Sequence, residues 1–396
     1  MPLCCARALQ LCAGTGGAEG PEAGSAYAGG MAAEWDRQGQ GWTADVLGED
    51  FECRVLPLPD AEQATLIRHR PARWRRAVGG VLRGHSVLYL HGWSDYFFQR
   101  ELAEFFSAAG ADFYAVDLRN YGRNLTAQST PGYITDLQEY SAELDAAHRI
   151  MSAEHPQNRV VLLGHSTGGL TASLYAAQNP QKVDALVLNS PWLEFQATEF
   201  GRTAISALFA AGSRLNPLRE LPQVDPGFYT RSVSSAYDGE WDYNLQWRPP
   251  QGFRITTGFV NAVFRAQATV AKGLELQQPV LVLLSARDYL LPRWTPDATR
   301  ADVALNVQVV ARRSVDLGAN LSLLRLDGAL HDIFLSVPQV RQRAYLAVGS
   351  WLDTQRHRMA GSRLQALARR VTEDTAARRS AAATSADGAG QQPGAR

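Results

Sequence analysis

The sequence predicts an α/β fold: a mostly parallel sheet with helices on both faces, interrupted by an inserted cap. Three observations carry this reading. Short apolar strands alternate with helical segments, a Gly-x-Ser-x-Gly turn sits between one such strand and its helix, and the alternation stops in one long aromatic-rich stretch. With 396 residues the chain accommodates one large α/β domain carrying an insertion, or two domains.

The elements follow in order. Phe51 to Leu56 and Ala64 to Arg70, separated by Pro57, Pro59 and Asp60, read as an antiparallel opening hairpin. Ser86 to Leu90 is then an apolar run ending in His91-Gly92-Trp93, and helical spacing from Tyr96 to Ala109 closes at Gly110. The unit recurs as a strand Asp112 to Asp117 with a helix from about Tyr133 to Glu154, and as a strand Val160 to Leu163 with a helix Thr167 to Asn179 ended by Pro180. Another strand runs from Val183 to Asn189. A strand flanked by neighbours and covered on both faces is apolar throughout, which is how these runs read.

From Trp192 to Leu276 aromatics are interspersed with Pro and Gly, which marks the cap. The sheet pattern returns with Pro279 to Leu284, a helix over Asp302 to Leu317, a strand Leu321 to Leu326 and a last helix from about Pro338 to Trp351. The expected organisation is therefore a disordered tail over 1–41, the first part of the core over 42–191, the cap over 192–276, the second part of the core over 277–358, and a fraying helix with a disordered tail over 359–396.

Composition excludes several function classes. Lys and Arg total 39 and so do Asp and Glu, so no net charge draws the chain to nucleic acid or to an acidic membrane. Cys4, Cys5 and Cys12 lie in the N-terminal tail and only Cys53 falls where the folded part begins, which makes neither a disulfide framework nor a metal spacing. No stretch is apolar enough to span a membrane and no secretory apolar segment stands out, so the reading is a cytoplasmic protein, with Met31 as an alternative start.

Chemistry centres on Gly164-His165-Ser166-Thr167-Gly168. Such a pattern arises by chance in roughly one chain in six of this glycine content, so its context decides. An apolar strand enters it and a helix leaves it, the setting of a nucleophile elbow. The glycines let strand and helix pass closely around a strained serine. A serine hydroxyl needs a base, normally an imidazole oriented by a carboxylate. His331 stands in a loop after the last strand and before the last helix, and it alone among eight histidines combines that place with the right chain order. His69, His85, His148, His155 and His357 read as surface residues, and His165 as packed inside the elbow. Asp288, directly after the strand Pro279 to Leu284, is the preferred acid, and Asp302 is its rival, with an N-cap as its alternative role. Developing charge on an acyl oxygen needs backbone N–H donors, which Trp93 and Thr167 would supply. His91 reads as a loop-shaping residue, and Asp117, Arg119, Tyr121 and Gly122 as a turn ordered by an internal Asp-Arg pair.

His91-Gly92-Trp93, Asp117-Leu118-Arg119-Asn120-Tyr121-Gly122-Arg123, Gly164-His165-Ser166-Thr167-Gly168-Gly169 and His331-Asp332 resemble the α/β-hydrolase superfamily, and within it most closely the lysophospholipase and monoacylglycerol-lipase branch, where related sequences are often labelled serine aminopeptidases. The resemblance covers about Phe51 to Trp351 apart from the cap. It implies an eight-stranded sheet and a serine hydrolase with no metal and no organic cofactor. Thr167 departs from the methionine or glutamine common in the lipases, and the region after Asp288 is longer. The expected activity is cleavage of a carboxylic ester, a monoacyl lipid-like one, through an acyl-enzyme on Ser166, with a small-molecule ester bearing an acyl chain as partner and no nucleic acid. Two alternatives stay open. A peptidase or amidase would need an acid in the cap for a free amine, from among Glu194, Glu199, Glu240 and Asp242. A non-catalytic receptor would keep the same residues and only bind. The cap aromatics between Phe195 and Phe264 either roof an apolar pocket over Ser166 or form a small core of their own.

Overall fold

Among the described residues, nine strands form one sheet. The computed structural model describes residues 41–71, 80–195, 216–222 and 226–355. The expected tail over 1–41 apart from Gly41, the expected tail over 359–396, His357, and the parts of the inserted segment at 196–215 and 223–225 lie outside the described residues.

The strands are β1 (Thr43–Ala44), β2 (Phe51–Pro57), β3 (Gln63–His69), β4 (His85–Leu90), β5 (Asp112–Asp117), β6 (Arg159–His165), β7 (Ala185–Asn189), β8 (Val280–Ser285) and β9 (Leu321–Leu326). They lie in the order β1-β2-β3-β5-β4-β6-β7-β8-β9, in which every pairing from β5 through β4 to β9 is parallel and those of β1, β2 and β3 at the other edge are antiparallel. The expected eight strands are present, with the two-residue β1 added where Thr43 and Ala44 pair with Cys53 and Glu52.

Period-two alternation divides the strand residues between two cores. Leu88, Leu90, Leu162, Leu186 and Val282 face one side, with Leu144, Met151, Leu170 and Leu174 from two covering helices. Val87, Tyr89, Val161, Val187 and Leu283 face the other, with Leu102 and Phe106 from one helix and Val348 and Leu352 from the last. Each such side chain, once fully buried, stabilises the fold by about 1.5–3 kcal/mol relative to exposure.

The helices are α1 (Arg100–Ala108), α2 (Ser141–Glu154), α3 (Thr167–Gln178), α4 (Phe228–Val233), α5 (Thr257–Val270), α6 (Val307–Arg313) and α7 over residues 338–355. Three of them start later than their apolar spacing predicts. Tyr96, Phe97 and Phe98 are buried in a loop, where Asp117 Oδ1 accepts the Phe97 N–H and so removes it from helix α1. Asp136 caps a 3₁₀ turn, Leu137–Tyr140, ahead of α2. Asp302 is held in an isolated bridge with Asp288, and α6 begins only after Asn306, whose side chain caps it. No described helix is long and apolar enough to cross a membrane.

Candidate active site

Strand β6 delivers Ser166 and helix α3 carries the chain away, with Ser166 at φ 54° and ψ −117°. That conformation costs a non-glycine residue about 1–3 kcal/mol and persists only where its surroundings impose it. They do so through glycines. A Cβ on Gly164 would stand 2.6 Å from Gly168 O, and one on Gly168 would stand 2.3 Å from His91 O and 2.4 Å from Leu90 O. The close passage of β4, β6 and α3 thus depends on bare backbone at both positions.

His331 meets this serine. Its Nε2 lies 3.1 Å from Ser166 Oγ and its Nδ1 lies 2.8 Å from Asp302 Oδ2. A neutral imidazole donating from Nδ1 to the carboxylate leaves Nε2 free to accept the serine hydroxyl proton. Asp302 and His331 are 0% and 3% exposed, so water competes little with these bonds.

The expectation for Asp288 is therefore corrected. Its Oδ2 accepts the Val307 N–H at the start of α6, the capping role expected of Asp302, while Asp302 points inward to His331. The two aspartates stand side by side in a parallel bridge, Tyr289 N–H to Asp302 O at 2.7 Å and Asp302 N–H to Arg287 O at 2.9 Å. A loop that returns to the C-terminal end of β8 before the helix starts explains the long separation in sequence.

Two stretches of main chain adjoin Ser166. Thr167 opens α3, where the first N–H groups lack partners within the helix. The loop after β4 abuts the serine, since a Cβ on Gly92 would lie 3.0 Å from Ser166 Cβ. Neither the Trp93 nor the Thr167 N–H donates to an acceptor among the described residues. His91 shapes this loop: its Nε2 accepts the Leu118 N–H at 3.1 Å and its Nδ1 lies 2.8 Å from Gly92 O, and burial holds its pKa below the usual range.

Around the pair lies a buried polar shell, of which the sequence reading names only His165, packed inside the elbow, and Asp332, beside His331. Asp332 Oδ1 accepts from Asn189 Nδ2 at 2.7 Å and Oδ2 from Gln99 Nε2 at 3.1 Å. His165 is 1% exposed, and burial pushes its pKa down to about 4. Its Nδ1–H therefore donates to Asn189 O and its Nε2 accepts from Tyr229 of α4. The Tyr229 ring stands edge-on to His331 with centroids 5.3 Å apart. Arg248 lies over Tyr229 and Tyr243 and pairs with Asp95 at 3.2 Å, both side chains buried. Asp95, His165 and Asp332 bring three ligand-type atoms within 4.8 Å of one another. The guanidinium beside Asp95 and the bonds already made by Asp332 set this cluster as a counter-charge for Arg248 rather than as a cation site. Tyr229 and Arg248 carry no local signal in the sequence.

Other expectations are revised. Asp117 pairs with Arg123 at 2.7 Å, whereas Arg119 turns to Glu143 and Glu62. His69 and His85 are buried, not surface residues, the first with Nδ1 at 2.8 Å from Ser107 Oγ and the second with Nδ1 at 3.1 Å from Leu82 O. Of the acids considered for an amine, Glu194 is engaged by Arg313 and Glu240 by Arg341, Asp242 is exposed, and Glu199 lies outside the described residues.

The inserted aromatics pack on the loops that surround Ser166. Phe259 lies on Trp93, Trp247 on Tyr96, and Trp241 donates its indole N–H to Leu335 O.

The family model described as serine aminopeptidase, S33 matches residues 84–309, more than half of the chain. A monoacylglycerol lipase of Mycolicibacterium smegmatis is 31% identical over 209 residues, covering 52% of this chain and 71% of that protein. A serine hydrolase-like protein of Homo sapiens is 33% identical over 109 residues, 28% of this chain and 51% of its own length. Among solved structures, a soluble variant of monoglyceride lipase from Saccharomyces cerevisiae, in complex with a substrate analog, shares the fold with a TM-score of 0.57 at 17% identity, over 80% of this chain and 99% of that one. With elbow, sheet order and sequence similarity in agreement, the chain belongs to the serine aminopeptidase S33 family of α/β-hydrolases, in its monoglyceride lipase branch.

Proposed function

We propose that this monoacylglycerol lipase-like hydrolase cleaves a carboxylic ester bearing an acyl chain, through a covalent acyl-enzyme on Ser166. The observation that carries the reading is the buried relay in which Ser166 Oγ, His331 Nε2, His331 Nδ1 and Asp302 Oδ2 follow one another at 3.1 and 2.8 Å.

Each residue has a role in that scheme. His331 Nε2 takes the hydroxyl proton as Ser166 Oγ bonds to the ester carbon, and the N–H groups of Trp93 and Thr167 receive the oxygen charge. The imidazolium returns the proton to the departing alcohol oxygen as the C–O bond breaks, leaving the acyl-enzyme. Water then loses a proton to His331 and attacks the same carbon, and Ser166 recovers its proton as the acid leaves. Asp302 stabilises the imidazolium and holds its tautomer without itself taking the proton. The described stretch of the inserted segment over 226–276 would border this site and receive the acyl chain.

An ester fits better than a peptide. A free amino terminus requires an unpaired carboxylate near the nucleophile; of the four acids considered, Glu194 and Glu240 are committed to arginines, Asp242 is exposed to solvent and Glu199 lies outside the described residues. The test is a fluorophosphonate probe together with a panel of esters and amides, run on the native protein and on Ser166→Ala. Labelling and ester turnover that both vanish in the variant support the reading. A native protein that takes no label and turns over nothing favours a binding-only protein.

A further inference from the structure

Four consecutive residues after β4 are gripped one by one by the inserted segment. Trp93 lies against Phe259, ring centroids 3.7 Å apart and planes 31° apart, and meets Phe253 edge-on at 6.0 Å. Ser94, at φ 52°, accepts the Phe253 N–H on its Oγ at 3.0 Å. Asp95 pairs with Arg248, and Tyr96 accepts the Asn244 N–H on its hydroxyl at 2.8 Å.

The far side of Trp93 is closed by the core. A Cβ on Gly132 would lie 2.5 Å from Trp93 Cζ3, and Tyr121 meets the indole edge-on at 6.1 Å. The indole is thus a wedge with the turn after β5 on one side and Phe259 on the other. Phe259 is itself fixed: it is 2% exposed, and its N–H donates to Thr256 Oγ1 at the start of α5.

We infer that Phe259 is a positioning residue for catalysis: through the Trp93 ring it fixes the Trp93 N–H over the Ser166 elbow, so that the inserted segment sets the oxyanion geometry as well as covering the site. This rests on the acyl-enzyme reading above. An oxyanion donor acts only if it lies within hydrogen-bond reach of charge that exists in the transition state, so its misplacement lowers the rate without weakening ground-state binding. A displacement of about 1 Å is enough to cost up to about a hundredfold in rate. Of the four grips, two use main-chain N–H groups of the insertion, which side-chain substitution leaves in place, and Phe259 is the one that bears on Trp93 by face contact.

The experiment compares native protein with Phe259→Leu and Phe259→Ala on one chromogenic ester, with folding followed by thermal unfolding. Leucine keeps most of the apolar volume but loses the flat face, so it decides the matter if the alanine variant does not fold. The expected result is a kcat lowered about ten- to hundredfold with KM within about twofold, and an equal loss of affinity for a trifluoromethyl ketone, whose adduct carries the oxyanion. Phe259→Leu with native kcat overturns the inference, and so does a raised KM at unchanged kcat, which would make Phe259 a lining of the acyl pocket. Fluorophosphonate labelling of the native protein keeps the two readings apart. Native protein without label defeats the acyl-enzyme reading itself, whereas labelled protein indifferent to Phe259→Leu defeats only this one.

Discussion

Asp302 Oδ2 stands 2.8 Å from His331 Nδ1, and the other oxygen of the same carboxylate accepts the N–H groups of Ala304 and Leu305, each at 2.8 Å. With its main chain pinned on both sides by Arg287 and Tyr289, this carboxylate has one orientation available. The imidazole inherits that orientation, which is what a base shared by acylation and deacylation requires.

Replacing Asp302 by Asn should therefore lower kcat by about 10⁴-fold, because an amide can donate to Nδ1 and stabilise the wrong tautomer. Asp288→Ala, which removes the acceptor of the Val307 N–H, should leave turnover near native and lower stability by about 1 kcal/mol, the usual worth of a helix cap. Steady-state kinetics and thermal unfolding on both variants separate the roles, and an inactive Asp288 variant would reverse them.

Substrate chain length offers a second measurement. Tyr229 brings apolar surface against His331 and Phe253 against the Trp93 loop, and each methylene buried there gains up to about 0.8 kcal/mol. Across p-nitrophenyl esters from acetate to a medium chain, below micelle concentrations, kcat/KM should rise about tenfold or more after discounting for partial burial. A profile that peaks at acetate would sink the lipid-ester reading.

Backbone contact at the elbow gives a third. A methyl group on Gly168 would stand 2.3 Å from His91 O, so Gly168→Ala must push β4 away from α3. The expected cost is about 1–3 kcal/mol, the range for overpacking, with a lowered unfolding temperature and a loss of activity larger than that stability change alone would produce. An alanine variant with native unfolding temperature and turnover would show that the elbow tolerates a Cβ there.

Two buried groups near Ser166 titrate with opposite effects on stability. Burial, opposed by Arg248, pushes the Asp95 carboxyl up to about 6, and burial pushes His165 down to about 4. A raised acid contributes stability at low pH that is lost as pH rises through its folded value, while a depressed histidine contributes stability above its ordinary value that is lost as pH falls through the folded one. Between about pH 6 and 4 the two therefore oppose each other. Asp95→Asn removes the compensating member, so its stability should fall more steeply on acidification than that of native protein, by up to about 1 kcal/mol per pH unit. Denaturant unfolding at pH 6, 5 and 4 measures the slope; parallel slopes would refute the assignment.

Much of this protein is written locally. The strand-turn-helix around Ser166 is legible because a strained serine needs glycines at fixed offsets, and the parallel strands because burial on both faces demands continuous apolar runs. His331 is legible from chain order alone, since only one histidine falls between the last strand and the last helix. What the chain does not spell out depends on where distant segments meet. Asp288 and Asp302 look alike along the sequence, and a backbone bridge between them decides which carboxylate points to His331. Tyr96 to Phe98 have helical spacing, yet Asp117, about twenty residues on, takes the Phe97 N–H and turns them into loop. Arg248 and Tyr229 lie in a stretch with no periodic signal, and only the fold brings them to Asp95, His165 and His331. Local steric need leaves its mark on neighbouring residues, whereas pairing of charges and hydrogen bonds across long separations leaves none until the chain has closed around them.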